Sequence, residues 1–197
     1  MLGIPLNIPN TITLFRIILI PVFIAAFFLP DFSWKHLLLT GLFFLAGISD
    51  WFDGYLARRL KQQSAFGAFL DPVADKLMVA TAMTLLVSAH PGALMALPAV
   101  VIIGREIAVS ALREWMANLG ENAKVKVSFI GKVKTFTQLW AIGFLLYSKP
   151  IGSFQPMVVG YVLLYMAAIL TLWSMFVYLS AAWPSLMRSS RNGSEKQ

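Results

Sequence analysis

Six apolar stretches, at about 11–30, 36–57, 67–89, 92–112, 128–148 and 156–183, leave this chain few ways to fold. Each is long enough to cross about 30 Å of hydrocarbon as a helix rising 1.5 Å per residue. Composition agrees: 58% hydrophobic residues, 13% charged residues and a mean hydropathy of +0.74 are too apolar for a soluble domain of 197 residues. The expected fold is all-α, a polytopic membrane protein of six transmembrane helices.

Proline and glycine punctuate three joints, at Pro30-Asp31, Pro91-Gly92 and Lys149-Pro150-Ile151-Gly152, and these joints are nearly free of positive charge. Arg58, Arg59 and Lys61 fall in the second connection, and Arg113, Lys124, Lys126, Lys132 and Lys134 in or beside the fourth. Arg188, Arg191 and Lys196 fall in the tail. The positive-inside rule puts those regions and both termini in the cytoplasm, which requires an even number of spans. The net charge of +7 is then topology and attraction to anionic lipid, with no nucleic-acid partner needed. The first stretch lacks the basic lead of a signal peptide. The expected organisation is one membrane-embedded catalytic domain over 1–183, opening with an interfacial segment over 1–10. A polar, disordered tail over 184–197 follows. A homodimer through the sixth stretch is possible on its composition.

Asp50, Asp53, Asp71 and Asp75 lie inside this apolar pattern, in S-D-W-F-D-G-Y-L-A-R and G-A-F-L-D-P-V-A-D. Four carboxylates at membrane depth cost on the order of 10 kcal/mol unless something neutralises them. At about 100° per residue, Asp50, Asp53, Gly54 and Ala57 share one helical stripe, and Gly67, Asp71 and Asp75 share another. Folding the hairpin about Gln62 brings the carboxylates level in two pairs, about 12–20 Å in from the cytoplasmic turn. Like charges so placed need countercharge, and hard divalent cations supply it. Oxygen-only donors suit magnesium, manganese or calcium, and two ions among four carboxylates make a two-metal site for phosphoryl transfer. With no cysteine in the chain, the only nitrogen ligands on offer are His36 and His90, which sit at segment ends on the far side and read as interfacial. Gly54, Ala57 and Gly67 let a substrate approach the backbone, although small residues in membrane helices often serve packing alone. Arg58 supplies a phosphate partner.

The pattern D-x-x-D-G-x-x-A-R, eight residues, then G-x-x-x-D-x-x-x-D resembles the CDP-alcohol phosphatidyltransferase family over 50–75. The resemblance implies six membrane helices, a CDP-linked lipid and two magnesium or manganese ions held by Asp50, Asp53, Asp71 and Asp75. It implies that Asp75 deprotonates the acceptor hydroxyl, a role that the residues themselves do not separate from Asp71. It also implies that Gly54, Ala57, Arg58 and Gly67 hold the cytidine and pyrophosphate.

A second group of cations bears on the acceptor alcohol. Arg105 lies inside the fourth stretch and Arg113 at its end, eight residues away, while Lys132 and Lys134 open the fifth. A buried guanidinium needs a partner, and Glu106 is expected to point elsewhere because helix neighbours do not face each other. A phosphate in the cavity would serve. N-I-P-N-T-I-T-L-F-R, I-G-R-E-I and G-K-V-K-T resemble a bacterial branch of the family whose acceptor is sn-glycerol 3-phosphate. That resemblance assigns Arg105, Arg113, Lys132 and Lys134 to the acceptor phosphate and Asn10, Thr13 and Arg16 to the lining near the headgroup. The expected partners are CDP-diacylglycerol, glycerol 3-phosphate and membrane lipid, and the expected products are phosphatidylglycerophosphate and CMP. The expected place is the bacterial inner membrane, with the site facing the cytoplasm. The rival readings are the same chemistry on inositol phosphate or serine, and a divalent-cation transporter. The transporter is disfavoured because the acidic level lies near one face and no second polar constellation completes a path.

Overall fold

Proline, glycine and polar joints divide the apolar sequence into six α-helices: α1 Ile8–Phe28, α2 Lys35–Leu60, α3 Ala65–Ala89, α4 Ala93–Asn118, α5 Phe129–Tyr147 and α6 Pro156–Ser194. This computed structural model describes residues 8–60, 65–118 and 129–194, with side chains described over 10–49, 67, 69–117, 131, 133–180 and 182–183. Among the described residues the only extended pairing is an isolated bridge between Ile151 and Phe154 in the last joint. Gly92, at φ 145°, and Gly152, at φ 59°, make turns there and before α4 that a side chain would strain. Pro156 opens α6, where its missing N–H costs nothing.

Among the described residues, four helices are long and apolar enough to cross a membrane: Asn10–Phe28, Phe69–Ala89, Ala93–Ala117 and Pro156–Ser180. The part of α2 with described side chains, Lys35–Ser49, is a shorter apolar stretch, and α5 carries Lys132 and Lys134 in its opening turns.

Packing joins the helices in a definite order. α5 lies along α6, α4 packs on α6, α1 packs on both α2 and α3, and α2 meets α5. The core holds Phe23, Phe43, Met83, Ile102, Ile142 and Leu164, each almost fully buried. Glycines let helices approach: a Cβ on Gly143 of α5 would lie 2.5 Å from the Phe44 ring of α2, and one on Gly160 of α6 would lie 2.7 Å from Leu145 Cγ. The outside is as apolar as the inside. Ile18, Val100, Ile169, Trp173 and Phe176 are all more than half exposed, as lipid contact demands. Trp173 faces outward as well.

Two boundaries differ from expectation. α1 begins at Ile8, so Asn10 is a buried helix residue rather than part of an interfacial segment. α6 continues through Pro184 to Ser194, so helix enters the stretch expected to be a disordered tail.

Candidate functional site

The first cluster is built by α1 and α3. Asn10, Thr13 and Arg16 are each 1% exposed and spaced by three, so α1 turns a polar stripe inward. Buried polar groups must find partners, and Thr13 and Arg16 find carboxylates. Thr13 Oγ1 donates to Asp71 Oδ1 at 2.5 Å, and Arg16 donates to and ion-pairs with Asp75 Oδ1. Asp71 and Asp75, four apart on α3, thus present one face to α1. The Asp75 side chain is 46% exposed while Arg16 is enclosed, so the carboxylate stands at an opening with the cation in its wall.

That opening is a cavity of about 530 Å³ lined by Arg16 and Asp75 and otherwise largely apolar, with Phe43, Gly47, Met78 and Leu139 among its walls. Gly131, Thr135 and Phe136 of α5 complete it. A carboxylate and a guanidinium at one end of an apolar cavity suit an amphiphile, with its charged head at Asp75 and its chain against the remaining wall.

Asp50, Asp53, Gly54, Ala57 and Arg58 occupy the last three turns of α2, but their side chains lie outside the described residues, so the expected level pairing of carboxylates is not tested. By helix position alone, Asp50 and Asp53 on α2, and Asp71 and Asp75 on α3, are all about 9–15 Å from the helix ends that flank residues 61–64. Gly67 is buried in the first turn of α3. Among the described residues no three acidic or histidine side chains converge on a metal position.

The second cluster joins α4, α5 and α6. Arg105 and Lys134 are 9% and 4% exposed, and both donate to Glu106 Oε1 at 2.6 Å. Glu106 therefore does not point away from Arg105. Sequence neighbours on a helix diverge at Cβ, but an arginine side chain is long enough to curl around the helix, and burial beside a second cation rewards it for doing so. Arg105 also donates to Ser174 Oγ at 3.0 Å. Arg113 is exposed, donates to Tyr178 Oη at 2.8 Å and stacks on that ring, its guanidinium carbon 5.1 Å from the centroid. Arg105 reaches the same ring at 6.0 Å. Of the four cations expected to meet an acceptor phosphate, Arg105, Arg113 and Lys134 are linked through these partners, and the side chain of Lys132 lies outside the described residues.

Ser174 and Tyr178 were not singled out by sequence reasoning. With Thr171, they stand at i, i+3 and i+7 in an otherwise apolar helix, a periodic signal that marks one polar face. Helix α5 connects the two clusters, since Lys134 meets Glu106 while Gly131 and Thr135 border the cavity that holds Asp75.

With this geometry in hand, comparison with known proteins gives a consistent result. The profile described as CDP-alcohol phosphatidyltransferase matches residues 6–173. The CDP-diacylglycerol–glycerol-3-phosphate 3-phosphatidyltransferase of Yersinia pestis (strain Pestoides F) is 50% identical over 182 residues, 92% of this chain and 98% of that protein. The enzymes of the same name from Pseudomonas fluorescens and Pectobacterium atrosepticum are 51% and 52% identical, over 94% and 92% of this chain and 95% and 97% of theirs.

Proposed function

The chain belongs to the CDP-alcohol phosphatidyltransferase family, and from that premise we propose that it transfers the phosphatidyl group of CDP-diacylglycerol to sn-glycerol 3-phosphate, giving phosphatidylglycerophosphate and CMP. It is a transferase of phospholipid synthesis, and its helices are those of a membrane protein. The observation that carries the choice of acceptor is the convergence of two buried cations, Arg105 and Lys134, beside Arg113. A phosphorylated alcohol neutralises such a group. Serine or an unphosphorylated polyol would leave it uncompensated at membrane depth.

The family depends in general on a divalent metal. The chemistry of the donor set fits: carboxylate oxygens are hard ligands, and Asp71 and Asp75 offer them on one face of α3. In this reading Asp50, Asp53, Asp71 and Asp75 hold two ions, magnesium or manganese. Metal ions held there would supply countercharge for the pyrophosphate of the substrate. The remaining work falls to the chain's own residues. Thr13 and Arg16 fix Asp71 and Asp75 by a hydrogen bond and an ion pair. Gly54, Ala57 and Gly67 admit the nucleotide close to the backbone, with Arg58 on its phosphate. The apolar cavity behind Asp75 receives the lipid side of the substrate, so the acyl chains stay in the bilayer while the headgroup enters between helices. Asp75 takes the proton of the acceptor's 1-hydroxyl as that oxygen attacks the lipid-side phosphorus in line, and no covalent enzyme intermediate is required. Arg105, Arg113, Lys132 and Lys134 hold the acceptor's own phosphate. In this reading the site faces the cytoplasm from a bacterial inner membrane, the side from which the water-soluble acceptor enters and CMP leaves.

The test is CMP release by the purified chain with labelled CDP-diacylglycerol, magnesium or manganese, and a panel of alcohols. Glycerol 3-phosphate should support turnover and serine, inositol and inositol phosphate should not, and a chelator should abolish it. Arg105→Ala should raise the KM for glycerol 3-phosphate at least tenfold and leave that for the lipid nearly unchanged, because a lost charged hydrogen bond costs about 1.5–3 kcal/mol. CMP release with every acceptor alike, or with none, would sink the proposal.

A further inference from the structure

Arg105, Arg113 and Lys134 are not three independent cations. Arg105 and Lys134 come from different helices and share one carboxylate oxygen, Glu106 Oε1. Two enclosed like charges repel each other unless a counter-ion lies between them, so Glu106 fixes their spacing as well as their charge. On the other side Tyr178 joins the two arginines. Its hydroxyl accepts from Arg113, and its ring lies within 6.0 Å of both guanidinium carbons. Ser174, one turn earlier on α6, accepts from Arg105. Each cation is therefore held by a group that the reaction does not itself call for.

We propose that Glu106 and Tyr178 are positioning residues that set Arg105, Arg113 and Lys134 into one cradle matched to a dianionic phosphate monoester. This rests on the reading that those cations receive the acceptor's phosphate. Charge gives the match. Among the described side chains of this group, three cations and one carboxylate leave two net positive charges, and a phosphate monoester carries about −1.5 to −2 at pH 7. Without Glu106 the cradle would carry one charge too many and its two buried members would separate. Without Tyr178 the exposed Arg113 would be free to sample solvent rotamers. Hydrogen-bonding capacity remains for a ligand: Arg105 Nε and Thr171 Oγ1 are buried and have no hydrogen-bond partner among the described residues. Selection between a phosphorylated acceptor and a neutral one is then set by residues that flank the phosphate and do not react.

The experiment uses the full chain purified in detergent and measures KM for glycerol 3-phosphate and for CDP-diacylglycerol, with a thermal midpoint for each variant. Glu106→Gln should raise the acceptor KM by about tenfold or more while the lipid KM stays within about twofold, and Glu106→Asp should recover part of the loss. Tyr178→Phe keeps the ring and loses the hydroxyl, so it should raise the acceptor KM by about three- to tenfold, and Tyr178→Leu should raise it further. Acceptor KM unchanged in both Glu106→Gln and Tyr178→Phe, or equal rises in both KM values with a lowered midpoint, would overturn the inference. Arg105→Ala separates the two levels. If it raises the acceptor KM while those variants do not, the positioning roles fail alone. If it too has no effect, the acceptor site is elsewhere and both fall.

Discussion

Arg16 is the bulkiest side chain among those wholly enclosed in the described structure, and it ion-pairs with Asp75, the proposed base. A lone guanidinium at membrane depth costs about 2.5–3.5 kcal/mol on insertion scales, so the arginine is retained only with a counter-ion. Asp75 is that counter-ion, and it remains half open to the cavity. The opening lets an alcohol reach the carboxylate, as the proposed role of general base requires. Asp75→Asn keeps the shape and removes the proton acceptor, so turnover should fall by about 10²–10⁴-fold in the CMP-release assay. Full turnover would transfer the role to Asp71 or to neither. Asp71 and Asp75 were legible in the sequence because a carboxylate in an apolar helix is expensive. Thr13 and Arg16 were legible only as lining, since a polar stripe at 10, 13 and 16 shows which face turns inward and not which helix it meets. Glu106 was misread because the angular rule for neighbours describes Cβ directions, and the reach of arginine outweighs it.

Between helices, close approach is set by single glycines, and their surroundings rank what substitution would do. A Cβ at Gly160 of α6 would meet Leu145 at Cγ, 2.7 Å, and at its backbone nitrogen, 3.1 Å, so α5 and α6 would have to separate. At Gly143 the clash is with the tip of the Phe44 ring, at 2.5 Å, and a ring can tilt, although Trp140 at 5.3 Å limits it. Gly41 on α2 has nothing within 4 Å. Overpacking costs about 1–3 kcal/mol, whereas alanine in place of glycine in an open helix gains up to about 1 kcal/mol. Thermal unfolding in detergent should therefore rank the midpoints Gly41→Ala at or above the parent, then Gly143→Ala, then Gly160→Ala lowest. A Gly160→Ala midpoint equal to the parent's would mean that the α5–α6 contact is looser than its geometry. The number and place of helices were legible from apolar length and from Pro-Gly joints. The role of α6 was not: its stripe of Thr171, Ser174 and Tyr178 is only three residues in a long apolar helix, and a hydroxyl in such a helix can bond its own backbone instead, as Ser180 does to Phe176 and Val177.

For the molecule as a whole, the decisive pattern is that the three joints poor in positive charge come together. Asp31 and Phe32 from the α1–α2 joint, His90 from the α3–α4 joint and Ser148 and Lys149 from the α5–α6 joint line one cavity of about 500 Å³. Lys149 ties two of these joints directly, donating to the Ser33 carbonyl at 3.2 Å. Every second connection therefore lies at one end of the bundle. The ends of α2 and α3 that flank residues 61–64, near Asp53 and Asp71, lie at the other. This alternation is what the proposed even number of crossings requires, and the positive-inside rule supports the proposal that the aspartate end faces the cytoplasm. Because the chain has no cysteine, any thiol introduced reports its own side without further engineering. Ser153→Cys, exposed in the α5–α6 joint, should react with a membrane-impermeant maleimide in intact cells whose outer membrane is opened, and Gln197→Cys only after the inner membrane is opened as well. Labelling of both from one side would require an odd number of crossings, and reversed labelling would put the aspartates outside. The reversed result would separate the proposed site from the water-soluble acceptor, and so topology and chemistry are tested by the same measurement.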